Sequence, residues 1–123
     1  MSFSSAPHTV AYCHCRDCRR WTGAPVAAFV AFDRAALPDL GAPQVHGPGV
    51  ERWNCPGCGS PLAAWFPYLP DQVYVPIGVM DQADVLPPAL HSHADSALPW
   101  LHIDDTAPRE SGSARDALSE SAP

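Results

Sequence analysis

Proline sets the first limit on this chain. Fifteen of its 123 residues are proline, well above the ~5% of ordinary proteins. Each one lacks a backbone N–H and has a fixed φ, so it suits neither a helix interior nor the middle of a sheet ladder. Long helices are disfavoured, and short strands joined by many turns are the expected build. The length corresponds to one domain with a small core, which a metal staple would usefully reinforce. Hydrophobic residues at 46% against 16% charged give a globular balance.

Along the chain, Thr9–Cys13 is expected to form a strand and 15–21 a turn or one turn of helix. The short, almost wholly apolar run 24–32 (APVAAFVAF) suits a buried strand. One polar helical turn is expected over 33–40, followed by a turn-rich stretch at 43–49. Val50–Asn54 and 61–66 then form a hairpin with Cys55-Pro56-Gly57-Cys58-Gly59 at its tip. A further strand is expected over 72–79, with Pro76 arguing for an edge position or a bulge. Residues 97–103 close the domain, set at 1–106. From Ala107 to Pro123 large apolar side chains are almost absent, so 107–123 is expected to be a disordered tail.

The net charge is −6, and with no lysine every fixed side-chain cation is an arginine. Residues 1–60 hold five arginines against four acids, while 61–123 hold two against nine. No basic face suited to nucleic acid emerges. No apolar run approaches the ~18 residues of a membrane span, and no signal-peptide pattern opens the chain. A cytoplasmic setting is expected, where five cysteines (an odd count) read as metal ligands or reactive thiols rather than disulfides.

Cys55-x-x-Cys58 is the spacing of a zinc knuckle, because Pro56, Gly57 and Gly59 permit the tight turn that lets two thiolates converge on one ion. Cys13-x-Cys15-x-x-Cys18 places three thiols within six residues. Catalytic zinc often takes three protein ligands and keeps a fourth position open, so these three can form such a shell alone. Equally, Cys15 and Cys18 can pair with Cys55 and Cys58 in one closed four-thiolate ribbon, leaving Cys13 spare. Spacing leaves both open. Arg16, Arg19 and Arg20 stand beside the cluster, where they would lower thiol pKa values and attract an anionic thiol. His14, His91 and His93 are further candidate ligands. Trp21, Trp53, Trp65 and Trp100 read as core or pocket walls, and Asp104-Asp105 as a solvent-facing pair.

Together these motifs resemble a known family. The stretch from Cys13 to Pro25 (CHCRDCRRWTGAP) is similar to the central motif of the glutathione-dependent formaldehyde-activating enzymes, a family that includes centromere protein V-like proteins. Residues 54–62 (NCPGCGSPL) resemble its second cysteine motif. Ile77 to Asp81, Pro88 to His91 and Leu98 to Leu101 fall where the family places three further segments, so the likeness covers about residues 8–108. It implies an all-β fold of stacked sheets, like that of small zinc-binding exchange-factor proteins. It also implies a catalytic zinc on Cys13, Cys15 and Cys18; Arg19 and Arg20, which flank that site, are expected from their position to bind substrate. The implied chemistry is that of a carbon–sulfur lyase acting on a small thiol adduct, exemplified by reversible addition of glutathione to formaldehyde. The class-level rival is a non-catalytic zinc module that binds a protein partner. Family members usually begin with a strand bearing Gly-x-Cys-x-Cys-Gly, which this sequence lacks, so Cys55 and Cys58 are expected to be without their usual partners. Loss of the structural zinc is the expected outcome, the alternatives being a site completed by a histidine such as His8 or a start placed too far downstream.

Overall fold

The computed structural model describes residues 1–3 and 5–113. Seven strands make one sheet: β1 (Thr9–Cys13), β2 (Ala27–Asp33), β3 (Gln44–His46), β4 (Val50–Asn54), β5 (Pro61–Trp65), β6 (Gln72–Pro76) and β7 (Leu90–Ser92). The single α-helix among the described residues, α1 (Arg16–Thr22), follows β1. The all-β expectation holds. The strand order is β3-β4-β5-β6-β2-β1-β7, and the two halves of the sheet join through one pair, Ala64↔Tyr74.

Strand β2 explains the sequence's longest apolar run. It lies between β1 and β6 and is covered on both faces. Phe29 and Ala31 face a cluster with Cys18, Leu69 and Tyr74. Val30 and Phe32 face another with Trp53, Val73 and Val75. A strand covered on both faces needs apolar residues at successive positions, not alternate ones. Phe3 adds to the second cluster by stacking on Phe32, centroids 4.0 Å apart.

Several local expectations change. Pro76 was expected at an edge or bulge, yet β6 is interior. The proline is tolerated because it ends the strand, beyond the sole β5 contact at Tyr74. A short strand, β3, occupies the turn-rich stretch, and β7 pairs in parallel with β1 through Tyr12↔His91 and Cys13↔Ser92. Trp53 is buried, but Trp100 is 62% exposed and forms no wall.

The tail expected from Ala107 onward is docked as far as the structure describes it. The amide of His91 donates to Pro108 O (2.8 Å), that of Glu110 to His91 O (2.9 Å), and that of His93 to Gly112 O (2.7 Å). Backbone pairing, rather than apolar side chains, holds this strap against β7. Residues 114–123 of the expected tail lie outside the described residues.

Candidate metal centre

Three local devices converge the sulfurs of the first motif. Cys13 ends β1, Cys15 caps α1 from its extended conformation, and Cys18 lies in the helix's first turn. The cap and a residue three positions later share one helix face, and the Cys15 sulfur accepts the Cys18 amide at 3.4 Å. At the far end Gly23, at φ 72°, donates its amide to Arg19 O and stops the helix. The left-handed conformation there suits glycine.

All three sulfurs lie within 4.8 Å of one another, and the Cys13 thiol donates to Cys15 at 3.5 Å. A tetrahedral ion with Zn–S near ~2.3 Å sets its sulfurs roughly 3.8 Å apart, so the trio fits a metal ion. Its electrostatics agree. Hydrogen bonds from the Cys13 and Cys18 thiols hold the Cys15 thiol far below its usual range. The Cys13 thiol is pushed up, chiefly by its hydrogen bond to Cys15. That of Cys18 is pushed up by its bonds to Cys13 and Cys15 and by burial. One thiolate thus suppresses ionisation of the other two, and a bound cation reverses that repulsion.

The two open arrangements are thereby separated. Cys13, Cys15 and Cys18 form the sole group of three or more potential ligands among the described residues, and it excludes Cys55 and Cys58. That pair sits on the β4–β5 hairpin. The Cys55 amide donates to Ser60 O (2.8 Å), and Gly59, at φ 80°, donates to Cys55 O (2.7 Å). Cys58 is exposed, 3.2 Å from the Ser60 hydroxyl. His8 does not complete the pair. Its ring is hydrogen-bonded to Asp33 at 2.7 Å.

Behind the trio runs a polar chain, from the buried His14 and His91 out to the exposed Asp105 and Arg109. His14 Nε2 lies 2.8 Å from His91 Nδ1, and His91 Nε2 lies 3.0 Å from an Asp105 carboxylate oxygen. Arg109 donates to the same carboxylate at 2.5 Å. With the carboxylate accepting from His91 Nε2–H, a neutral His91 accepts at Nδ1 from His14 Nε2–H. The buried His14 Nδ1 has no partner. Burial, foremost, lowers the His14 pKa, while the hydrogen bond from His91, foremost, lowers that of Asp105. Asp104 and Asp105 are both exposed, as the sequence suggested, and Asp105 in addition accepts from His91. The chain anchors the loop between Cys13 and Cys15 from behind. Its remote members, Asp105 and Arg109, carried no local sequence signal.

Against the sulfurs lies a cavity of about 600 Å³. Its walls include Phe29, Phe66, Tyr68 and Tyr74, with His93 and Arg52 as polar members. Arg19 and Arg20, the sequence candidates for substrate contact, do not line it. Arg19 instead donates to the carbonyls of His14 and Ser96, both at 2.6 Å, and Arg20 is exposed.

A small antiparallel-rich sheet that gathers three thiols at a strand–helix junction, beside an aromatic cavity, defines an all-β protein whose cysteine trio could hold a metal ion. Over residues 1–96 the sequence matches the glutathione-dependent formaldehyde-activating enzyme family, and the chain belongs to that family. No curated protein matches it. No described helix is long and apolar enough to cross a membrane.

Proposed function

We propose that this chain is a zinc-dependent carbon–sulfur lyase acting on a small thiol adduct, with reversible addition of glutathione's thiol to formaldehyde as its model reaction. The carrying observation is that the three-sulfur group and the cavity are contiguous: Cys13, Cys15 and Cys18 all line it. Its volume is typical of a small-molecule site, roughly 300–1,000 Å³. A closed four-thiolate site without a pocket would have favoured the non-catalytic module. Cys13, Cys15 and Cys18 would hold the zinc, which would supply Lewis acidity when bound.

In the addition the thiol loses its proton, its sulfur forms a bond to the aldehyde carbon, and the carbonyl oxygen ends as a hydroxyl. The aromatic walls keep the reacting pair from bulk water and hold it near the sulfurs. Tyr68 lines the cavity though 44% exposed, and its phenol, with an ordinary pKa near ~10, is protonated at neutral pH and is a donor there. The five cysteines are free thiols, which suits a cytoplasmic setting. The test is the exchange rate between formaldehyde, glutathione and S-hydroxymethylglutathione, followed by NMR with zinc-loaded protein. Acceleration that disappears in Cys15→Ser supports the proposal, and a rate equal to the protein-free reaction overturns it.

A further inference from the structure

Arg52 has no protein counter-ion among the described residues, and unlike Arg16, Arg19 and Arg20 it lines the cavity. Arg34 pairs with Glu51 (3.0 Å), Arg109 with Asp105, and Arg19 with two carbonyls. None of the ion pairs among the described residues includes Arg52, and its Nε is buried without a hydrogen-bond partner. The neighbouring acid, Glu51, is committed to Arg34. Yet Arg52 is the single arginine lining the cavity, and the chain has no lysine to share the role.

The side chain is also held in place. Its guanidinium lies over the Trp21 ring, 5.2 Å from the centroid, and the Trp21 indole N–H reaches Asn54 Oδ1 on the same strand at 3.5 Å. Trp21 belongs to α1, which carries Cys18. The cation is therefore fixed relative to the sulfurs by a strand–indole–helix bridge. A stacked guanidinium keeps its N–H fork in a defined plane, the geometry that binds carboxylates through two parallel hydrogen bonds. The aromatic walls lower the local dielectric, which strengthens attraction to an incoming anion.

We propose that Arg52 is the anion-binding residue of the cavity: it takes a carboxylate of the incoming thiol, so that the site selects acidic thiols over neutral ones. This deepens the thiol-adduct reading and rests on it. The charge that mattered in sequence was thus not the arginine pair next to the cysteines but one brought across from β4.

The test is calorimetric binding of glutathione and of its diethyl ester, which keeps the sulfur and masks both carboxylates, to the zinc-loaded full chain. The parent should bind glutathione at least about tenfold more tightly than the ester, as a charge-assisted fork implies. In Arg52→Gln the two affinities should converge within about twofold, the ester's own affinity staying close to the parent's. Arg52→Lys, which keeps the charge without the fork, should fall between. Zinc content and melting temperature check that each variant is folded, and the parent's discrimination needs no variant at all. Equal affinities in the parent, or full discrimination retained in Arg52→Gln, would overturn the proposal. Arg52-dependent binding of glutathione without catalysed adduct formation would uphold the anion site and overturn the lyase reading. Catalysed adduct formation without discrimination would do the reverse.

Discussion

Three thiols this close cannot all ionise without a cation among them. Replacing Cys15 or Cys18 with Ser should therefore abolish tight zinc binding, and metal analysis of the purified variants checks it. Unchanged zinc content in both would refute the three-sulfur site. The Asp105 carboxylate has a different task. It accepts from His91, which orients the ring that meets His14. Asp105→Asn should lower the melting temperature at neutral pH. Because the folded pKa of Asp105 lies below its ordinary value, its contribution is complete above the unfolded carboxylate pKa near ~3.9. It is lost as pH falls through the folded value. The gap between parent and Asn variant should thus be full above the unfolded carboxylate value and narrow progressively as pH falls below it. Urea melts across that range measure it, and a gap that widens on acidification would contradict the assignment.

At the scale of elements, the strap over residues 108–112 is held to β7 and the turn after it by five backbone hydrogen bonds. Each contributes about 0.5–1.5 kcal/mol net. A chain ending at Thr106 should then be less stable than one ending at Ser113 by about 2 kcal/mol or more, with a fall of several degrees in melting temperature. Equal melting curves would mean the strap adds nothing. This strap also marks where sequence stopped being legible. β1, β2 and the β4–β5 hairpin could be read because a long apolar run and a Cys-Pro-Gly-Cys turn announce themselves locally. β3 and β7 are three residues each, too short for a period of two to show. The strap pairs through backbone alone, which composition does not report. The metal trio was visible because its members are neighbours in sequence. Arg52 was not, because Arg19 and Arg20 masked it by being closer along the chain and farther from the cavity.

Over the whole molecule, β2 and β6 bind the two apolar clusters into one body. Phe32, 2% exposed and stacked by Phe3, touches no part of the trio. Phe32→Ala should cost about 3–5 kcal/mol through the cavity it leaves, and the stoichiometry of zinc in the surviving folded fraction should be unchanged. Zinc loading should act on the same global equilibrium. At free metal a hundredfold above its dissociation constant it adds about 2.7 kcal/mol, so chelation should shift the melt downward by a corresponding amount.

The pairing of β1 with β7, and of His14 with His91 and Asp105, has a consequence in time. Cys13, Cys15 and Cys18 leave the ribosome before the residues that brace them. At roughly 5–20 residues per second, the interval between Cys18 and Asp105 is on the order of ten seconds. Throughout it the nascent thiols have neither their parallel neighbour strand nor the histidine behind them. The geometry that suits a metal ion is a late acquisition of the chain. Until Asp105 has emerged, the three thiols are without the braces that hold them in place.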